Sequence, residues 1–434
     1  MPDICMVGTG YVGLVSGACL ADFGNTVICV DIDKDRISQI KNGIMPIYEP
    51  GLKELVSRNR DSGRLFFTTD LEEGVRKSDV IFSAVGTPMG NDGSADLSAV
   101  FRVAADVAGC MGQYKVFVQK STVPVGTSEK VGQVIRENLK GDVDFERVSN
   151  PEFLREGSAI EDFMRPNRVV IGVDNPRARE IMREIYRPLY LLETPVVFTS
   201  VRTAELIKYA SNSFLAVKIS FINEIADLCE KLGADISDVA KAMGLDKRIG
   251  SKFLHAGIGY GGSCLPKDVA AILHTAENHG VDLKIISGAD SVNNARVDRL
   301  MEKIYSEFPD ISGLDIALLG LSFKPNTDDI RHAPSLRFID RALKEGAELR
   351  VYDPIAMGNV KEKYGPKLNY FDNAYGAIEG AEAMVIMTEW NEFRVLDMEK
   401  VEELMKGRSI FDCRNIYKDV DLEIKGFSYH SFGR

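Results

Sequence analysis

One cysteine stands in a setting that would make its sulfur a nucleophile. Seven cysteines occur in the 434 residues, at 5, 19, 29, 110, 229, 264 and 413, with no CxxC pair. Six lie in apolar strand or helix patterns and read as small buried hydrophobes. Cys264 differs: it sits in Gly259-Tyr-Gly-Gly-Ser-Cys-Leu-Pro-Lys-Asp268, a glycine-rich loop running into a helix, with Pro266 suited to the first turn. A thiol there meets the positive end of a helix and the charge of Lys267, both of which favour thiolate. The alternative is an inert cysteine at a helix start. Lys208 and Asn212 are one helical turn apart among Leu206, Ile207, Tyr209, Phe214 and Leu215. Polar groups in that setting line a polar cavity or form a solvated stripe. The segment 150–156 (NPEFLRE) adds Glu152 and Glu156 after a strand, the alternative being a loop that opens a helix.

A second constellation lies at the start of the chain. Gly8, Gly10 and Gly13 form G-x-G-x-x-G directly after an apolar run and before a helix beginning near Tyr11. The first glycine permits a tight turn and the second admits a pyrophosphate to backbone N–H groups. The third lets helix and strand pack closely, at a helix end that favours negative charge. Asp31 follows at the end of the second strand, where a carboxylate accepts ribose hydroxyls and disfavours a 2′-phosphate, pointing to NAD. Arg36 nearby tempers that preference, and Asp31 could instead cap the helix that follows. The loops at 86–88 and 121–124, carrying Thr87 and Thr122, fall at strand ends, where open α/β sheets place ligands.

The elements that must hold these residues follow a βαβ rhythm. Ile4–Val7, Thr26–Val30, Val80–Val85 and Val116–Lys120 read as buried parallel strands. From Val201 to Leu232 one amphipathic helix of about 45 Å is expected, and helical sequence continues to about Phe308. A second βαβ series then begins, with Ile316–Leu319 before Gly320, a helix over Ser335–Lys344, Leu349–Tyr352 before Asp353, and Ala383–Met387 before Thr388. These echo Gly8, Asp31 and Thr87. The second lobe lacks the full glycine fingerprint, so it is expected to bind something other than the same dinucleotide. The expectation is α/β: two Rossmann-like doubly wound lobes (1–200 and 309–434) joined by a long central helix and a helical middle region (201–308).

Composition narrows the function. Acidic residues outnumber basic ones, 64 to 53, for a formal charge of −11, against a general nucleic-acid binder. No run of 18 apolar residues suggests a membrane span, no signal-peptide pattern opens the chain, and the scattered odd thiols fit a reduced cytoplasmic protein. The five histidines show no metal-ligand spacing, so no metal is expected. An NAD site and a nucleophilic thiol together point to oxidation through a thiohemiacetal and thioester.

The motifs GTGYVG (8–13), GTP (86–88), STVPVGT (121–127), NPEFLREGSAI (150–160), ELIKYASNSFLA (205–216), RIGSKFL (248–254), GIGYGGSCLPKD (257–268) and FKPNTDDIR (323–331) resemble the UDP-glucose/GDP-mannose dehydrogenase family over essentially the whole length. The resemblance implies a four-electron oxidation of a nucleotide-sugar C6 alcohol to a carboxylate with two NAD+. It implies Cys264 as the nucleophile and Lys208 as oxyanion stabiliser. Asp268 and Thr122 would hold a water, Asn212 would set substrate geometry, and Glu152 would serve thioester hydrolysis. For NAD it implies Val12, Arg36, Thr87, Thr122, Glu156, Lys267 and Arg331 beside Gly8, Gly10, Gly13 and Asp31. For the UDP-sugar it implies Glu152, Phe153, Leu154, Arg155, Glu156, Lys208 and Asn212, the loop Phe253, Leu254, His255, Ala256, Gly257, then Tyr260, Gly261, Lys324 and Arg414. Arg248 matches an arginine that reaches a neighbouring subunit, which implies a homodimer or larger.

Leu265 departs from the UDP-glucose pattern, where Phe is more frequent, whereas Gly157 and the segments FKPNTDDIR and TEWNEFRVLD favour it. A GDP-mannose enzyme, a single-step hydroxyacid-type dehydrogenase and an NAD-binding sensor with a regulatory thiol are the competing readings.

Overall fold

The computed structural model describes residues 1–417, 422 and 424–434, which form two compact units. One comprises Met1–Ser211 with Ala270–Thr275, the other Asn212–Val269 with Ala276–Arg434. In the first, strands β1 (Ile4–Val7), β2 (Val27–Val30), β3 (Leu65–Thr68), β4 (Val80–Ser83), β5 (Lys115–Gln119), β6 (Phe145–Ser149), β7 (Val169–Gly172) and β8 (Val196–Thr199) build one sheet. Its order is β3-β2-β1-β4-β5-β6-β7-β8. All pairs are parallel except β6 with β7, which meet antiparallel at Ser149 and Gly172. In β1, Ile4 and Met6 enter one apolar cluster while Cys5 and Val7 enter another. Both faces are covered by helices, which is why the strand is apolar throughout rather than alternating.

The second unit has its own sheet, β9 (Asp315–Leu319), β10 (Glu348–Tyr352), β11 (Asn369–Tyr370), β12 (Ala383–Ile386), β13 (Ser409–Asp412) and β14 (Ser428–His430), in the order β11-β10-β9-β12-β13-β14 and parallel throughout. Its central strands divide between two apolar clusters in the same way, Ile316 and Leu318 facing one, Ala317 and Leu319 the other. In both sheets the chain reverses its winding beside the first strand, between β1 and β4 and between β9 and β12. Crevices at such points receive ligands.

The boundary between the units falls inside the helix Val201–Leu232, 32 residues long and so about 48 Å. Among the described residues no helix is long and apolar enough to cross a membrane.

Candidate active site

In the first unit the glycine fingerprint has the geometry a dinucleotide needs. Gly8 has φ +97°, a left-handed conformation that favours glycine. A Cβ on Gly13 would lie 1.9 Å from the Gly8 carbonyl oxygen, whereas one on Gly10 would meet nothing within 4 Å. The third glycine is therefore a packing requirement, and the second leaves room for a phosphate at the start of the helix Tyr11–Asp22. These features fit NAD.

Asp31 lies at the end of β2. It accepts from the Thr9 N–H (2.7 Å), the Thr9 hydroxyl (2.8 Å) and the Asp33 N–H (3.0 Å). The next helix, Lys34–Lys41, is capped by Asp33 and not by Asp31, so the capping role belongs to the neighbour. Burial pushes the Asp31 carboxyl up, but these hydrogen bonds and Arg36 (3.3 Å) outweigh it and hold it below the usual carboxylate range. Arg36 sits on Asp31, which partly offsets its repulsion of a 2′-phosphate. Val12 is half-buried in the first turn, and Ile32 is 88% exposed beside Asp31, an apolar surface that the motif reading missed. At the ends of β4 and β5, the Thr87 hydroxyl donates to the Thr122 carbonyl (3.0 Å) and so ties the two loops together.

The segment after β6 places Glu152 against the long helix. Lys208 is 3% and Glu152 6% exposed, and Lys208 Nζ reaches Glu152 Oε1 at 3.0 Å. Burial raises the Glu152 carboxyl. The Lys208 charge and hydrogen bond, the Leu154 N–H and the charge of Lys120 outweigh that and hold it below its ordinary value. The Phe153 ring lies between Arg168, 3.5 Å from its centroid, and Lys208, 5.2 Å away. Arg155 is turned to Asp162 (2.6 Å), while Glu156 is half-buried.

Two buried acids anchor this region, Glu49 outside the motifs and Glu205 at the start of the one at 205–216, neither with a role implied by the sequence. Glu49 accepts from the N–H groups of Gly157 (2.7 Å) and Ala159 (2.8 Å) and from the Tyr11 hydroxyl. Glu205, three residues before Lys208, accepts from Gly126 N–H (2.7 Å), Ser128 N–H (2.9 Å) and the Ser128 hydroxyl (2.6 Å). It thereby fixes the loop that carries Thr122. Burial pushes its carboxyl up despite those donors.

In the second unit Cys264 is the residue before the helix Leu265–Asn278, whose first turn contains Pro266. Its Sγ lies 3.6 Å from the Ser263 hydroxyl, and the residue is half-buried. Lys267, expected to act on the thiol, is paired with Asp268 at 2.6 Å. Asp268 also accepts from Asn212 Nδ2 (2.6 Å). Asn212 is 7% exposed, so neither it nor Lys208 belongs to a solvated stripe. Of the other cysteines, Cys110 is half-buried rather than buried; the remaining five are fully inside.

The loop leading to Cys264 is held by its backbone. Asn223 Oδ1 accepts from Gly257 N–H (2.8 Å) and Arg296 Nε donates to the Gly257 carbonyl (3.0 Å). Asn293 accepts from Tyr260 N–H (2.8 Å) and donates to its carbonyl (3.1 Å). Gly259 has φ +92°, and a Cβ there would strike Asn293 at 2.4 Å. Arg414 is no surface charge. It donates to the carbonyls of Met387 (2.8 Å), Gly259 (3.1 Å) and Phe323 (3.2 Å). Leu254, Ala256, Gly257, Tyr260 and Gly261 are buried, Phe253 is half-buried with φ +64°, and His255 is exposed. Lys324 is half-buried over the Phe323 ring, Arg331 pairs with Asp329 (2.8 Å), and Arg248 projects outward, 89% exposed. Asp353, the echo of Asp31, accepts from Leu321 N–H, Ser322 N–H and hydroxyl, Ile355 N–H, Ala356 N–H and Trp390 Nε1. Its oxygens serve the protein itself, a physical reason for this lobe not to read a ribose as the first does.

Fold and fingerprint define a dinucleotide-binding α/β protein with two doubly wound sheets. Three models of the UDP-glucose/GDP-mannose dehydrogenase family match it in sequence: the NAD binding domain over residues 2–190, the central domain over 202–295 and the UDP binding domain over 317–419. The chain belongs to this family, whose cofactor is NAD. It is 53% identical over 436 residues to a UDP-glucose 6-dehydrogenase of Rhizobium meliloti (strain 1021), covering 99% of each chain. Among solved structures it is similar to a UDP-glucose dehydrogenase from Pyrobaculum islandicum (TM-score 0.93, 37% identity, 99% and 97% of the two chains). It is less similar to a GDP-mannose dehydrogenase from Pseudomonas aeruginosa (TM-score 0.55, 31% identity, 95% and 96%).

Proposed function

We propose that the protein oxidises the C6 alcohol of UDP-glucose to the carboxylate of UDP-glucuronate, through a covalent intermediate on Cys264, consuming two NAD+. The observation that carries the reading is a thiol at a helix N-terminus, four residues before Asp268, which is buried and bonded to Asn212; the buried Lys208–Glu152 pair of the first unit supports it. UDP-glucose is favoured over GDP-mannose because the relative at 53% identity bears that name and the GDP-mannose enzyme is the more distant structure.

NAD+, when bound, supplies the hydride acceptor for each oxidation; Gly8, Gly10, Gly13 and Asp31 are its anchors. The positive end of the helix at Cys264 favours the thiolate, the form that attacks. Its sulfur bonds to C6 of the aldehyde, and the oxygen takes up negative charge. Lys208 and Asn212 stabilise that charge, a role worth most where water is excluded. After the second oxidation C6 is held as a thioester. Water adds to it, the C–S bond breaks, the electron pair returns to sulfur, and Glu152 takes the proton from the water. Thr122 and Asp268 serve the first oxidation by holding a water that takes part in proton transfer.

The parts 1–200, 201–308 and 309–434 then serve NAD, self-association and the uridine diphosphate; the NAD binding and UDP binding family matches support the first and the last. Phe214, Phe221 and Leu228 recur every seven residues on the long helix and are 64%, 43% and 52% exposed. Such an apolar stripe supports association with a second copy; Arg248 is exposed, its guanidinium paired with Asp246 at 2.6 Å. Seven free cysteines accord with a reducing cytoplasm.

Cys264→Ala tests the reading. The variant is expected to bind NAD as the parent does while forming no UDP-glucuronate, as followed by mass spectrometry. Substantial acid from it contradicts the covalent route.

A further inference from the structure

A second buried lysine stands near the Glu152–Lys208 pair, outside every expectation drawn from the motifs. Lys120 follows β5 and is 4% exposed. Its Nζ donates to Asn150 Oδ1 at 3.1 Å and lies 3.5 Å from the Tyr186 hydroxyl. Asn150 is fully buried; its Oδ1 also accepts from Tyr186, and its Nδ2 donates to the Val170 carbonyl (2.8 Å). Lys120, Asn150, Glu152, Phe153, Arg168 and Tyr186 line one small cavity of about 40 Å³. A buried ammonium is costly without a counter-charge. Of the two carboxylates on this cavity, Asp162 holds Arg155 and the more deeply buried Glu152, whose charge bears on Lys120, already holds Lys208. Two buried cations therefore bear on one buried carboxylate.

We propose that Lys120 is a positioning residue for the Glu152–Lys208 pair. Anchored by Asn150, its charge keeps Glu152 ionised and weakens the hold of Lys208 on its proton. The groups facing it are Glu152 after β6, Lys208 on the long helix, Asp162 and Arg168 before β7, Tyr186 after the helix Pro176–Ile185, and Cys19 on the first helix. Burial pushes the Lys120 ammonium down to about 8; the Glu152 charge opposes this and the Lys208 charge adds to it. A cation lowers a neighbouring carboxyl and a neighbouring ammonium alike. Loss of the Lys120 charge must therefore raise both. The consequence for turnover rests on the roles proposed above for Glu152 and Lys208; the coupling of charges does not.

The test is a 13C NMR titration of the full-length protein carrying glutamate labelled at its carboxyl carbon, with the Glu152 signal assigned through Glu152→Gln. Lys120→Gln keeps a donor for Asn150 and loses the charge; Lys120→Met loses both. The expected result is a Glu152 midpoint raised by roughly one pH unit in both variants. The acid limb of kcat should move up with it, while KM for UDP-glucose changes little. A midpoint unmoved in Lys120→Gln assigns Lys120 to anchorage alone and overturns the proposal. Coupling is reciprocal, so in Glu152→Gln the Lys120 ammonium, followed by 13C-lysine, must titrate lower than in the parent. An unchanged value there overturns the proposal without any Lys120 variant having to fold. A parent inactive on UDP-glucose would sink the functional reading, yet these midpoints would still decide this one.

Discussion

At the scale of single residues, the site is governed by carboxylates whose surroundings set their charge. Asp31 is held ionised by Thr9, Asp33 and Arg36, and it stands where the second ribose hydroxyl of NAD would be read. Its charge opposes a 2′-phosphate, and Arg36 is at hand to receive one. Asp31→Asn removes the charge while keeping an acceptor for Thr9. The expected result is a preference for NAD over NADP narrowed by about tenfold or more, on the order of 1.4 kcal/mol, measured as the ratio of the two dissociation constants. An unchanged ratio would place NAD selectivity elsewhere. Glu152 follows the same logic with a buried ammonium in place of Arg36.

At the scale of elements, the legible and illegible parts separate on physical grounds. Apolar runs and helical periodicity record burial, so β1, the helix Val201–Leu232 and the two-lobed βαβ order follow from the sequence. Strand ends shift where apolarity continues past the hydrogen-bonded ladder. Val80–Val85 reads as strand, but β4 stops at Ser83 while Ala84 stays buried in the turn to Thr87. The antiparallel meeting of β6 and β7 has no signature, because both are short and pair only at Ser149 and Gly172. In the site, Cys264, Lys208, Asn212 and Glu152 stand out as polar or reactive groups in unusual company. Asn223, Asn293, Arg296, Glu49, Glu205 and Lys120 do not. Most of their partners are backbone groups distant in sequence, Gly257 for Asn223 and Gly126 for Glu205, and a backbone amide carries no residue-type signal. The loop before Cys264 is irregular, and buried side chains supply the hydrogen bonds that a helix or strand would have made internally.

At the scale of the whole molecule, the apolar stripe on the long helix is the feature a single chain leaves unexplained. Phe221 lies at its middle. Phe221→Glu is expected to lower the mass measured by light scattering from at least a dimer toward the single chain, because a buried carboxylate without a partner is costly. A parent that already runs as one chain would refute the self-association reading.

Cys264 is proposed to carry a sugar alcohol through two oxidations without letting the aldehyde go. The most direct test is the amount of NADH formed per UDP-glucose consumed at saturating NAD+, with the product weighed by mass spectrometry. Two NADH and UDP-glucuronate are expected; one NADH with free aldehyde would rule out a retained intermediate.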